Sequence, residues 1–215
     1  MLRIICLLIG YIFGNFQTAY LVGKKQGIDI RDHGSGNSGT TNALRVMGSK
    51  AGVIVFAGDM LKCLIAVLII TGLFGKSHPE IIYLLKLYGF LGCVLGHDFP
   101  FFMHFRGGKG VASAAGFVLG FHWTFVPVAL IMFLVPFALT SYVSLGSILF
   151  YISLLVQMII EGQKGFFAPA SQAVLYEMYA IQAVLTAMAL WQHRENIKRL
   201  IKGEENKTIL WQKSE

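Results

Sequence analysis

The stretch Val111-Ala-Ser-Ala-Ala-Gly-Phe-Val-Leu-Gly-Phe-His-Trp-Thr-Phe-Val-Pro-Val-Ala-Leu-Ile-Met-Phe-Leu-Val-Pro-Phe-Ala-Leu139 decides the fold. It carries no charge over 29 residues. As one helix it would be roughly 44 Å long, at about 1.5 Å per residue. A hydrocarbon core is only about 30 Å thick. Two short helices turning near Phe121-His122-Trp123 fit the stretch as well as one long helix does.

Other apolar blocks run near 2–22, 53–74, 81–99, 142–160 and 171–191, each long enough for a membrane helix. The charge of the loops decides how often 111–139 crosses. The 24–50 loop holds Lys24, Lys25, Arg31, Arg45 and Lys50, and the 101–110 loop holds Arg106 and Lys109. The tail from His193 onward holds Arg194, Lys198, Arg199, Lys202, Lys207 and Lys213. If 111–139 crosses twice, all three basic segments share one side, and only Lys76 and Lys164 lie in loops opposite. The excess of Lys and Arg on the cytoplasmic side then favours about seven spans, with the N-terminus out and the C-terminus in. The expected fold is an all-α, polytopic integral membrane protein. One domain covers 1–215, with no soluble appendage.

Composition agrees. Of the 215 residues 55% are apolar and 13% charged, against roughly 25% charged in a soluble domain. The formal net charge of +7 does not point to nucleic acid, because the basic residues sit in short loops and a tail. Anionic lipid, anionic substrate and topology account for it better. Cys6, Cys63 and Cys93 lie inside apolar blocks without metal-ligand spacing and read as packing residues. The first block has a thin charged start at Arg3 and no clear cleavage site, so it reads as a retained span. Asp59 and Lys62, three apart inside the second span, read as an ion pair. Glu177 has no local partner.

Three segments carry polar residues suited to chemistry. The first is Gly34-Ser35-Gly36-Asn37-Ser38-Gly39-Thr40-Thr41-Asn42, followed by Arg45. Closely spaced glycines let backbone N–H groups converge on an anion, and Arg45 adds a bidentate cation suited to phosphate. The string fits G-x-G-x-x-G, but it follows no βαβ pattern, which excludes a dinucleotide site. The second segment is Gly96-His97-Asp98-Phe99-Pro100, then Phe105-Arg106-Gly107-Gly108-Lys109-Gly110-Val111. Pro100 should end the third span. Gly107 and Gly108 permit close approach of backbone to a ligand, and the next helix starts where its N-terminus favours an anion. Gly110 stands where a Walker A loop needs Ser or Thr. The third segment is His193-Arg194-Glu195-Asn196-Ile197-Lys198-Arg199-Leu200, then Gly203-Glu204-Glu205-Asn206-Lys207. His193 and Asn196 share a helical face, and Glu195 is spaced to pair with Arg199. Ile197, Leu200 and Ile201 form an apolar stripe suited to a membrane surface. Ser144, at the start of the sixth span, passes by pattern alone for a helix-end serine.

Together, in this order, the three segments resemble the PlsY family of bacterial acyl-phosphate:glycerol-3-phosphate acyltransferases. The resemblance covers nearly the whole chain. It implies transfer of a fatty acyl group from acyl phosphate to the 1-hydroxyl of glycerol 3-phosphate, giving lysophosphatidic acid and phosphate. It implies a seven-span enzyme of the bacterial inner membrane with its site facing the cytoplasm, no metal and no cofactor. The expected partners are the two substrates, membrane lipid and the enzyme that makes the acyl phosphate. Carried over by motif, Ser35, Arg45 and Lys109 would hold the acyl phosphate, and Ser144, His193 and Asn196 the glycerol 3-phosphate. Gly34, Gly36, Asn37, Gly39, Thr41, Asn42, Gly107 and Gly108 would surround the phosphates. Thr40 and Ser113 replace an expected Ala and Thr, both small changes. His193 is a possible general base, whereas the resemblance favours a donor phosphate oxygen as the proton acceptor. The rival reading is an organic-phosphate transporter, but the paired, interrupted halves usual in transporters are missing.

Overall fold

A computed structural model describes residues 1–208. Lys213, counted above in the tail, lies outside them. The described residues form ten α-helices and two short 3-10 turns, with no strand. The helices are α1 (Leu2–Gly14), α2 (Thr18–Lys25), α3 (Thr40–Met47), α4 (Ser49–Phe74) and α5 (Ile82–Asp98). They continue as α6 (Val111–Phe121), α7 (Phe125–Thr140), α8 (Val143–Gln163), α9 (Gln172–Gln192) and α10 (Arg194–Lys202).

The uncharged stretch 111–139 does divide. α6 ends at Phe121, His122 is extended, and α7 begins at Phe125. A helix end leaves backbone carbonyls unpaired, and here polar side chains take them. The Lys86 ammonium donates to the carbonyls of Gly120 and Phe121 at 3.1 and 3.2 Å. Gln157 donates to the Thr124 carbonyl, and the Thr124 hydroxyl donates to Glu161. α6 is short, about 16 Å at 1.5 Å per residue. It packs on α4 and α5, while α7 packs on α8. Gly108 meets His97 at one end of α6, and Phe121 meets Lys86 at the other. The two helices therefore run antiparallel along matching lengths.

The first apolar block, expected as one helix, breaks at Asn15–Gln17 between α1 and α2. Asn15 returns its amide to the Tyr11 carbonyl and accepts the Phe101 N–H. The Gln17 amide donates to the carbonyls of Gly14, Gly96 and His97 at 3.0–3.2 Å. The freed end of α1 is met by the Asn15 and Gln17 side chains, and Gln17 is anchored in turn on the end of α5.

α1 lies unusually close to α5. A β-carbon on Gly10 would collide with the Gly89 carbonyl, one on Gly14 with Cys93, and one on Gly92 with the Leu7 carbonyl. Small residues at such a crossing replace hydrophobic driving force with backbone-to-backbone packing. Behind this interface Phe90 stacks on Phe117 at 4.2 Å, within a core that continues through Phe121, Phe125 and Phe167.

Outward-facing side chains are apolar. Ile4, Leu8 and Ile12 on α1, Leu68 and Leu73 on α4, and Leu130, Ile131 and Leu134 on α7 are exposed. Contiguous apolar surface of this extent marks contact with lipid rather than water. Among the described residues four segments are long and apolar enough to cross a bilayer: Leu2–Lys25, Ser49–Phe74, Val143–Gln163 and Gln172–Gln192. Two ion pairs lie among the apolar helices. Glu177 meets Arg3 at 2.6 Å and accepts the Tyr88 hydroxyl at 2.7 Å. Asp59 and Lys62 do pair, at 2.9 Å.

Candidate active site

The 26–48 loop is held in shape by its own side chains. The Asp29 carboxylate caps the Arg31 N–H and pairs with its guanidinium at 2.6 Å, which lowers the Asp29 pKa to about 2. Arg31 then reaches the Met103 carbonyl. Asn42 organises the glycine-rich turn. Its amide oxygen accepts the Ser35 N–H at 2.9 Å, and its amide nitrogen donates to the carbonyls of Ile30 and His33. Gly34 and Gly36 take positive φ of 60° and 69°, open to glycine at no steric cost, and a β-carbon on Gly34 would strike Asn42. Gly39 precedes α3, with Thr41 in its first turn and Arg45 in its last. Ser35 and Arg45 are exposed, and neither side chain has a polar partner among the described residues. The backbone N–H groups of Asn37, Ser38 and Gly39 are likewise unpartnered there.

The second segment folds back on the end of α5. Gly107 N–H donates to the Asp98 carbonyl and Gly108 N–H to the His97 carbonyl. A side chain on Gly107 would meet the His97 carbonyl, and one on Gly108 the His97 ring. The close approach that these glycines permit is thus to α5. The N–H groups of Lys109 and Gly110, and those of Val111–Ser113 in the first turn of α6, have no partner among the described residues. Such an end attracts anions.

The third segment joins the second directly. The Lys109 ammonium donates to the amide oxygen of Asn196. The Asn196 amide nitrogen donates to Glu205 at 2.7 Å, and Glu205 also holds Arg199 at 2.9 Å. The expected Glu195–Arg199 pair does not form: Glu195 binds Lys198 instead, because Gly203 turns the chain and brings Glu205 back over α10. Glu205, within Gly203-Glu204-Glu205-Asn206-Lys207, is a candidate site residue that sequence reasoning passed over. His193, buried at the end of α9, donates from Nδ1 to the Ala189 carbonyl at 2.8 Å. Its Nε2 is then a free acceptor. Burial, with Lys109 nearby, lowers the His193 pKa to about 4, so the ring is neutral. Burial, with Arg199 nearby, lowers the Lys109 pKa to about 8.

Further bonds gather the loops. Asn37 donates to the Gly107 carbonyl, tying the first segment to the second. Thr208 N–H donates to the Ser141 carbonyl, tying the tail to the turn before α8. Ser144 lies just inside α8, buried, with its hydroxyl unpartnered among the described residues. Lys109, Asn196 and His193 are thus brought together. Ser35, Arg45 and Ser144 border the same group of loops without touching one another or Lys109 through a hydrogen bond. The arrangement offers ammonium and guanidinium cations, free backbone donors and a neutral imidazole acceptor. Such a set suits the oxygens of phosphates and a hydroxyl beside them.

Comparison with known proteins gives one answer. A family model for "Glycerol-3-phosphate acyltransferase" matches residues 4–203. The glycerol-3-phosphate acyltransferase of Clostridioides difficile (strain 630) is 38% identical over 95% of this chain and 94% of its own. That of Thermoanaerobacter sp. (strain X514) is 38% identical over 100% of this chain and 99% of its own. The crystal structure of PlsY (YgiH), an integral membrane glycerol 3-phosphate acyltransferase, matches in its glycerol 3-phosphate form with a TM-score of 0.79 and 34% identity. That match covers 95% of this chain and 94% of the crystallised one. The lysophosphatidic acid form matches with a TM-score of 0.78 and 32% identity. With its helices, its polar loops and its full length all matched, this chain belongs to the PlsY family of integral membrane glycerol-3-phosphate acyltransferases.

Proposed function

We propose that the protein acylates glycerol 3-phosphate at its 1-hydroxyl with acyl phosphate as donor, the first acylation of phospholipid synthesis. The observation that carries this reading is the Lys109–Asn196 contact beside neutral His193. It joins a residue assigned to the donor phosphate to one assigned to the acceptor, with His193 three residues before Asn196.

Ser35, Arg45 and Lys109 hold the acyl phosphate, helped by the free N–H groups around Asn37–Gly39 and Lys109–Gly110. Gly34, Gly36 and Asn42 shape the loop, and Gly107 and Gly108 seat Lys109 against α5. Ser144, His193 and Asn196 hold glycerol 3-phosphate; the Ser144 hydroxyl is buried and without a partner of its own. The cations offset repulsion between two phosphates and stabilise the one that departs. Much of the remaining barrier is positioning, because the donor is already activated. The 1-oxygen bonds to the acyl carbon, the bond from that carbon to the phosphate oxygen breaks, and the hydroxyl proton goes to the leaving phosphate. A His193 pKa of about 4 makes the ring a weak base near neutrality. Its free Nε2 still accepts a hydrogen bond from glycerol 3-phosphate.

The protein acts as one unit over 1–215 in the bacterial inner membrane. It crosses seven times, with the N-terminus outside and the site facing the cytoplasm. α6 alone is shorter than the hydrocarbon core, so the count rests on α6 and α7 together returning the chain to the side of Lys109. The Lys109–Asn196 and Thr208–Ser141 bonds support it, because they require the second loop, the turn before α8 and the tail to share a side. Acyl phosphate comes from a separate enzyme. Purified protein given palmitoyl phosphate and labelled glycerol 3-phosphate should yield labelled lysophosphatidic acid and free phosphate. Absence of product, together with uptake of label into liposomes, would instead establish a transporter.

A further inference from the structure

Lys62 has three partners, as many as an ammonium can serve. Its Nζ donates to the Phe16 carbonyl at 2.8 Å, to Asp59 Oδ1 at 2.9 Å and to His97 Nδ1 at 2.9 Å. Asp59 also accepts the Thr18 hydroxyl at 3.0 Å. Asp59, Lys62 and His97 are all buried. A simple ion pair would need only the first two, so the position of the other groups is informative. The Phe16 carbonyl is freed by the break between α1 and α2. His97 carries the ring on which Gly108 rests and the carbonyl that takes the Gly108 N–H. Since Lys62 donates to Nδ1, the His97 proton sits on Nε2, the atom that a β-carbon on Gly108 would strike first.

The same break supplies a second strap. The Gln17 amide nitrogen holds the carbonyls of Gly96 and His97, and its oxygen accepts the Ser38 hydroxyl at 3.3 Å. Ser38 lies between Ser35 and Arg45 in the first loop. Both loops that carry donor-phosphate residues are therefore hung on one buried hub, made by α4, the α1–α2 break and the end of α5. Ser144, His193 and Asn196 are carried by α8, α9 and the tail, which meet the hub's side through the Lys109–Asn196 and Gln192–Asp98 bonds.

We propose that Asp59 and Lys62 are positioning residues for acyl transfer, which set the Ser35–Arg45 loop and the Gly107–Lys109 loop at a common distance through the α1–α2 break and His97. This rests on the assignment of Ser35, Arg45 and Lys109 to the acyl phosphate. The hub touches no substrate and acts through the geometry of those two loops.

The test is the double variant Asp59→Asn/Lys62→Met, which removes both charges together and leaves no unpaired ion buried. Folding is read by thermal unfolding of the purified enzyme. The expected result is a folded enzyme whose KM for acyl phosphate rises about tenfold while its KM for glycerol 3-phosphate stays within about twofold. A folded double variant with unchanged KM for acyl phosphate overturns the proposal, as does an equal rise in both. If the double variant does not fold, Gln17→Met cuts the strap to both loops and leaves the ion pair intact. The same selective rise is then expected, and an unchanged KM overturns the proposal. If neither variant folds, the hub is a folding element only and the proposal fails. Lys109→Ala, measured alongside, separates the two readings. If it keeps normal activity, the site assignment itself is at fault.

Discussion

Lys109 at the start of α6 bonds the amide oxygen of Asn196, 87 residues further along the chain. The other end of that amide is fixed by Glu205, so the oxygen faces the ammonium by necessity. Glu205→Gln puts a neutral amide in place of the carboxylate that holds both Asn196 and Arg199. The expected outcome is a fall in kcat/KM of about tenfold, or about 1.4 kcal/mol, with the KM for glycerol 3-phosphate rising most. Steady-state kinetics at varied glycerol 3-phosphate checks it. An unchanged KM would remove Glu205 from the site.

The rate should depend on pH through Lys109 rather than His193. The Lys109 pKa is lowered to about 8, so its positive charge is present below that pH and lost above it. The value of kcat/KM should therefore decline as pH rises through about 8, and Lys109→Arg should be slower but lack that decline. His193, lowered to about 4, is neutral from mild acid upward. No histidine ionisation near the ordinary value of 6.5 should shape the profile, and a limb at about pH 6 that persists in His193→Gln belongs to the second ionisation of the substrate phosphate. Rates measured between about pH 5 and pH 10 test both limbs. A limb near the ordinary histidine value that vanishes in His193→Gln would establish a general base.

Asn42 holds three backbone groups of the first loop. Asn42→Ala leaves the Ser35 N–H and the carbonyls of Ile30 and His33 without it. Activity should fall by about tenfold to a hundredfold, because a misplacement near 1 Å is enough for that loss. Thermal stability should change less than activity does. Equal losses in both would make Asn42 a structural residue only.

The α1–α5 crossing should tolerate no added volume. Gly92→Val would drive a side chain into the Leu7 carbonyl. Destabilisation of at least about 2 kcal/mol is expected. Gly72, also helical, has open space around it, and Gly72→Ala should hold or raise the unfolding temperature. Thermal unfolding in detergent compares the pair. Equal effects would contradict the tight crossing.

Much of this was legible in the chain. Hydropathy located the long helices; length left 111–139 open between one helix and two, and the charges of the flanking loops decided for two. The three polar segments pointed to phosphate. What escaped were features whose cause lies far away in sequence. Gln17 sits inside an apolar run, and its break depends on Gly96, His97 and Ser38. Glu177 seemed unpartnered because Arg3 is 174 positions distant. Local spacing misled at Arg199, where the turn at Gly203 offers Glu205 before Glu195. The α1–α5 contact did have a local signal: Gly10-x-x-x-Gly14 and Gly92-x-x-x-Gly96 carry the small-residue spacing of close membrane helices.

The Lys109–Asn196–Glu205 chain has a consequence for biogenesis. Translation delivers the cation first and its two tail partners last. A nascent chain stalled before residue 193 can insert its earlier helices, yet it presents an ammonium with no amide to orient it. Activity is therefore expected only after residues 193–205 have been made and have folded back against Lys109.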